Sequence, residues 1–214
     1  MARVPIIAAL LVFSGLFLPV LAQQTIFQPR GVYATIDLRP AQAMVRRLGS
    51  SSGAERRAAV REVLEEPSAQ MPPVLYALAN ALSVELSRAE DAVFWYHVGR
   101  VRAVYDALRC KDVSARNEVT RLGQGLSQDL RAAQFYHREG LVPIAEKAIE
   151  WDSKNPRNYD QRWITLFGKI AVGSPGTDSA ELSMPESEWP AILQKVHETH
   201  LKSVQDFAAE RKAY

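Results

Sequence analysis

Residues 90–109 constrain the fold more than any other segment, because their apolar positions leave little of a helical circumference polar. A helix of that kind is buried on most sides, so we expect it to be the central helix of its domain. Trp95 is expected in the core, since Ala92 and Gly99 on the same stripe leave room for an indole ring. No stretch of the chain alternates apolar and polar residues over more than a few positions, which argues against β-sheets.

Helical periodicity and capping residues predict eight further helices. They cover residues 40–48, 54–66, 72–86, 112–122, 127–136, 141–152, 159–168 and 187–212. We interpret residues 23–39 as an extended arm and residues 173–185 as a polar loop. The connections are short, so the predicted fold is all-α and built from antiparallel helix pairs. Whether these pairs form an irregular repeat array or a closed bundle is left open.

Residues 1–22 are typical of a secretory signal peptide. Arg3 precedes an apolar run that extends to Ala22, and small residues stand at its end. A membrane anchor is the alternative, because the apolar run covers residues 4–22 and a membrane span needs about 20 residues. Pro19 and Ala22 favour cleavage. We therefore expect a mature chain of residues 23–214 that forms a single all-helical domain without a membrane span.

Charge and cysteine content exclude some classes of protein. The formal net charge is +2, and Arg3 of the predicted signal supplies one of those charges. A net charge this close to zero does not indicate the basic surface with which proteins bind nucleic acid. Cys110 is the single cysteine, so no internal disulfide can form. Its thiol is interpreted as a buried or half-buried apolar group, with a thiolate activated by Arg109 and Lys111 as the alternative.

Residues 74–96 resemble one Sel-like repeat, a relative of the tetratricopeptide repeat. The first helix is rich in small residues, and the second carries Ala92 followed by the Trp95-Tyr96 pair. In that family the aromatic ring lies between neighbouring helices. The resemblance implies a helical-repeat fold and a protein-binding role.

A second, weaker match runs from Gly140 through Ala145 and Ala148 to Pro156, and it resembles the later half of a tetratricopeptide unit. Short secreted proteins with one or two Sel-like units resemble periplasmic immunity proteins, which bacteria pair with toxins delivered by type VI secretion, lipase toxins among them. The resemblance therefore implies a periplasmic location and a toxin effector as partner. It supplies no catalytic residues.

Residues 158–163 form the densest polar and aromatic cluster in the sequence. Tyr, Trp and Arg dominate the binding energy of protein interfaces, so Tyr159, Asp160, Arg162 and Trp163 are the candidate partner-binding residues. The alternative is a helix start at which Asp160 acts as a cap and the aromatic rings enter the core.

The histidines offer the main route to an enzymatic function. His197 and His200 lie three residues apart on the last predicted helix, next to Glu198, and could ligate a metal. A solvated helix face is the alternative. His97 and His137 are interpreted as packed or edge histidines, with a general base as the alternative. Nucleophile elbows and phosphate loops are missing from the sequence. We therefore predict a non-enzymatic protein without catalytic residues, metal or cofactor.

Two other functions remain open from the sequence. One is a small secreted metal-dependent hydrolase that uses His197, His200 and an acid such as Glu198 or Asp160. The other is an assembly factor of the bacterial envelope.

Overall fold

The computed structural model describes residues 31–136, 138–173 and 181–210. The predicted signal peptide, the first part of the predicted arm and most of the predicted loop after Gly173 lie outside these ranges. Within them the chain is helical, and the sole β pairing is an isolated bridge between Cys110 and Ser183. The all-α prediction is therefore confirmed.

Nine α-helices follow one another along the described chain. They are α1 (Arg39–Leu48), α2 (Gly53–Glu65), α3 (Pro72–Ser83), α4 (Ala89–Arg109), α5 (Asn117–Gln124), α6 (Gln128–Tyr136), α7 (Leu141–Lys154), α8 (Lys169–Gly173) and α9 (Trp189–Glu210). Short 3-10 helices occupy Gly31–Thr35, Pro67–Ala69, Leu86–Arg88, Val113–Arg116, Arg138–Gly140, Gln161–Phe167 and Glu186–Glu188.

Helix α4 lies at the centre, packed against α3, α6, α7 and α9. A Cβ atom added at Gly99 would lie 3.1 Å from the Leu75 Cβ and from a ring carbon of Tyr76. The absence of a side chain at Gly99 thus allows the close approach of α3, which runs antiparallel to α4 because residues 84–88 join the two helices directly. Trp95 is 8% exposed and forms an edge-to-face contact with Trp151 at a ring distance of 5.3 Å, as expected for a core residue.

The segment predicted as a helix over residues 159–168 is instead the 3-10 helix Gln161–Phe167. The Asp160 side chain accepts a hydrogen bond from the Arg162 amide at 3.0 Å and caps the segment. Four consecutive residues of the segment, 163–166, are buried. Trp163 and Ile164 belong to the same core cluster as Ala103 and Ala107 of α4, whereas Leu166 belongs to a cluster with Tyr33 and Leu182.

The described part of the predicted arm is not extended. Gly31–Thr35 forms a 3-10 helix, and Gly31 has a φ of 55°, which a glycine adopts without strain. Tyr33 and Ile36 are buried against Leu166 and Leu182. They thereby cover apolar surface in the last third of the chain. Across the described ranges, every helix is too short or too polar to span a bilayer.

Candidate functional site

Two ionisable side chains of α4, Arg102 and Asp106, lie one helical turn apart in the interior. Arg102 is 0% exposed and Asp106 is 1% exposed. A buried charge is costly unless hydrogen bonds and an opposite charge compensate it. Each of these two residues is therefore the centre of a buried polar network that joins α4 to later parts of the chain.

The Arg102 network connects α4 to α7 and to the segment that follows it. The Arg102 Nε donates a hydrogen bond to Asp152 Oδ1 at 3.0 Å, and Nη2 donates to the carbonyl oxygens of Asn155 and Pro156 at 3.1 and 3.2 Å. The guanidinium also lies 4.7 Å from the centre of the Trp151 ring. These contacts satisfy the charge and fix the path of the chain after α7.

Asp152 balances more than one positive group. Its Oδ2 atom accepts a hydrogen bond from the Arg157 guanidinium and lies 2.9 Å from His197 Nε2 on α9. Burial alone would raise the pKa of Asp152, but the contacts with His197, Arg157 and Arg102 hold that pKa below its ordinary value. Asp152 is therefore an ionised carboxylate that links α4, α7 and α9.

The Asp106 network connects α4 to the residues 158–163 cluster. Asp106 Oδ2 accepts hydrogen bonds from the Tyr159 hydroxyl at 3.0 Å and from Trp163 Nε1 at 2.8 Å. Its Oδ1 atom is buried and has no hydrogen-bond partner among the described residues. Burial raises the pKa of Asp106 to about 7, although the two hydrogen bonds and the nearby Arg157 and Arg109 oppose that rise.

The candidate partner-binding residues are divided between the interior and the surface. Trp163 is 0% exposed and its indole donates to Asp106, so it lies in the core rather than on an interface. Tyr159 is held by the same carboxylate. Asp160 and Arg162 pair with each other at 2.7 Å, and their side chains are 26% and 38% exposed. A partner can reach these two residues, whereas the rings anchor the segment to α4.

The histidines on α9 contact different partners. His197 lies against Asp152, whereas His200 Nε2 lies 3.0 Å from His97 Nδ1 in the interior. Glu198 accepts from the Gln194 side chain at 2.8 Å. Among residues 31–136, 138–173 and 181–210, no three His, Cys, Asp or Glu side chains are grouped to hold a metal ion.

Burial keeps the inner pair of histidines neutral. Burial lowers the pKa of His97 to about 3, with further contributions from His200 and Arg100. Burial lowers the pKa of His200 to about 4, with further contributions from Arg100 and His197. His137, the fourth histidine, lies outside the described residues. Cys110 is buried, as interpreted from the sequence, and burial raises the pKa of its thiol to about 11.

The surface carries a groove that was not predicted from the sequence. It has a volume of about 190 Å³ and lies between α2, α3 and the 3-10 helix Leu86–Arg88. We call it the arginine groove after the four arginines that line it, which are Arg56, Arg57, Arg61 and Arg88. The spacing of Arg57 and Arg61, four residues apart on one helix, was the sequence signal that could have revealed it.

The four arginines differ in the partners they already have. Arg88 pairs with Asp91 at 2.8 Å, and Arg56 donates to the Ser50 carbonyl at 2.9 Å. Arg57 and Arg61 are exposed, and within the described part of the chain neither forms an ion pair. Two positive charges in this groove thus remain available to an anionic group.

A second groove, of about 280 Å³, adjoins the first and is mostly apolar. We call it the apolar trough, and it lies between α1 and α3. Its apolar side chains are Val45, Leu48, Ala77, Ala81 and Val84. Arg56 and Ala81 line both grooves, so the two form one continuous surface, and Val84 is 53% exposed at its edge.

Comparison of the chain with protein-family models, curated proteins and solved structures gave no match.

Proposed function

We propose that this chain binds another protein and that the binding neutralises a toxin effector, as an immunity protein of the periplasm does. The observation that carries the proposal is the arginine groove beside the apolar trough. Protein interfaces combine a desolvated apolar centre with charged groups that orient the partner. This surface offers both, with Arg57 and Arg61 unpaired among the described residues.

The buried networks support a binding role, because they stiffen the scaffold beneath the surface. Arg102 and Asp152 join α4 to α7, and α4 packs directly on α3, which lines both grooves. A surface that is already ordered loses less conformational entropy when a partner binds. The resemblance of residues 74–96 to a Sel-like repeat points to the same role.

The test uses the product of the gene adjacent to the one that encodes this chain. That product is directed to the periplasm of a host cell, with and without this chain, and growth is recorded. We expect growth to stop in its absence and to be restored when the chain is present. Isothermal titration of the two purified proteins should show a saturable complex. Growth arrest that the chain does not relieve, together with no heat of binding, contradicts the proposal.

A further inference from the structure

The two unpaired arginines of the arginine groove have a spacing that suits a helical ligand. Arg57 and Arg61 lie four residues apart on α2 and are exposed on the same side of it, a separation of about 6 Å along the helix axis. Carboxylates four residues apart on another helix have the same separation. Among the residues that the structure describes, Glu85 is the one carboxylate that lines the groove, so these residues give the groove an excess of positive charge.

The apolar trough supplies the second half of a helix-binding surface. It runs directly beside the arginines, and its floor includes the buried side chains of Leu48 and Ala81. Val84 extends the apolar surface outward. An amphipathic helix that places apolar residues in the trough would present its flanking face to Arg57 and Arg61.

We infer that the arginine groove and the apolar trough together receive an acidic amphipathic helix of the protein partner. The inference rests on the proposed function, since it names the chemistry of the partner at that same surface. A polyanion without apolar side chains would use the arginines and leave the trough uncovered. An acidic helix fills both grooves, so the observations favour it over nucleic acid or an anionic lipid surface.

The probe is a synthetic fluorescein-labelled peptide of about 18 residues, with leucines at helical spacing and glutamates four residues apart beside them. Its binding to the full chain is measured by fluorescence anisotropy. We expect saturable binding that weakens about tenfold or more in the double variant Arg57→Glu/Arg61→Glu. Val84→Ser should also weaken binding, because it removes exposed apolar surface from the trough.

The matched control is Lys147→Glu/Lys195→Glu, which changes the net charge equally at exposed positions of α7 and α9. We expect it to bind the peptide as the wild type does. If both double variants lost the same amount of peptide affinity, the loss would be an effect of net charge alone, and the inference would be overturned. The absence of saturable peptide binding, or binding of anionic phospholipid vesicles without binding of the peptide, would overturn it as well.

The same variants separate this inference from the proposed function. If the adjacent gene product binds Arg57→Glu/Arg61→Glu as tightly as it binds the wild type, the chain is an immunity protein with another docking surface. If the peptide binds as expected but the gene product neither binds nor is neutralised, the two grooves do bind an acidic helix and the proposed function is wrong. Thermal unfolding of each variant confirms that a loss of binding is not a loss of fold.

Discussion

The guanidinium of Arg102 on α4 and the carboxylate of Asp152 on α7 lie 3.0 Å apart, and neither side chain has any exposed surface. The two residues are 50 positions apart in the sequence, and the chain just after Asp152 also supplies backbone acceptors to Arg102. Because water cannot compensate these charges, each depends on the other.

Asp152→Ala should lower the free energy of unfolding by about 3 to 5 kcal/mol, because it leaves two guanidinium groups buried without their carboxylate. Urea unfolding followed by circular dichroism measures the change. Glu150→Ala on the same helix is the control, since Glu150 pairs with Lys154 in solvent; it should leave the midpoint nearly unchanged. A small effect of Asp152→Ala would show that the pair does not connect α4 to α7.

Asp106→Asn should be tolerated, whereas Asp106→Leu should not. The amide keeps an oxygen for the hydrogen bonds of Tyr159 and Trp163, but leucine leaves both donors buried without an acceptor, at about 1 to 3 kcal/mol each. Urea unfolding at pH 7 compares the two variants. Equal destabilisation by both would mean that the volume of the side chain, and not its acceptor, is what matters.

Asp106→Asn should also change the dependence of stability on pH. The pKa of Asp106 is raised from 3.8 to about 7 in the folded protein, so the folded state retains a proton that the unfolded state loses. The free energy of unfolding of the wild type therefore falls by up to about 1.4 kcal/mol per pH unit as the pH rises from 3.8 towards 7. The advantage of Asp106→Asn over the wild type should grow across that interval in urea unfolding. A constant difference would contradict the raised pKa.

Acid should destabilise the protein through the buried histidine pair. On folding, the pKa of His97 falls from 6.5 to about 3 and the pKa of His200 falls from 6.5 to about 4. Below pH 6.5 the unfolded state therefore binds protons at these histidines that the folded state does not bind. Each histidine should lower the free energy of unfolding by up to about 1.4 kcal/mol per pH unit as the pH falls below 6.5. Asp106 acts in the opposite direction, but the two histidines outweigh it.

Thermal unfolding between pH 7 and pH 4.5 measures this effect. His200→Gln removes one titrating group and retains a polar side chain beside His97, so its melting temperature should fall less steeply with acid than that of the wild type. Parallel curves for the two proteins would show that His200 does not contribute to the acid sensitivity.

Gly168→Ala should be destabilising, and Gly123→Ala should not. A Cβ atom at Gly168 would lie 2.1 Å from Asp112 Oδ2 and 3.2 Å from Asp112 Cβ. The Asp112 carboxylate cannot easily move away, because it accepts hydrogen bonds from the amides of Ser114 and Ile170, each at 2.9 Å. We expect a loss of about 1 to 3 kcal/mol in urea unfolding.

Gly123 on α5 is the matched position, since no atom of the described part of the chain lies within 4 Å of an added Cβ atom there. Alanine at this helical position should stabilise the protein by about 0.5 to 1 kcal/mol. If Gly168→Ala were as stable as Gly123→Ala, the contact between Asp112 and Gly168 would not be tight in solution.

Much of the fold could be predicted because helical signals are local. The apolar circumference of residues 90–109 identified the central helix, and Trp95 lies in the core as expected. The tighter winding of Gln161–Phe167 could not be predicted from periodicity. In the folded chain Asp160 caps this segment, and Trp163 donates a hydrogen bond to Asp106, a residue far away in sequence.

The candidate site was harder to predict. The sequence groups Tyr159, Asp160 and Trp163 only by their nearness along the chain, and a list of residue types does not distinguish a surface hot spot from a buried anchor. Asp106 and Arg102 were the available signal, because charged residues within a helix that is apolar on most sides require internal partners. The surface grooves depend on how α1, α2 and α3 pack, and no single segment reveals that.

Most of the α-helices follow from the amino-acid sequence alone, because caps and apolar periodicity act over a few residues. Which polar groups meet in the interior depends instead on how the helices pack. Arg102 on α4 contacts Asp152 on α7. Asp106, also on α4, contacts Trp163 on the 3-10 helix Gln161–Phe167. Burial then makes these pairings obligatory, since a charge that is removed from water is stable only where the fold supplies an opposite charge or a hydrogen bond.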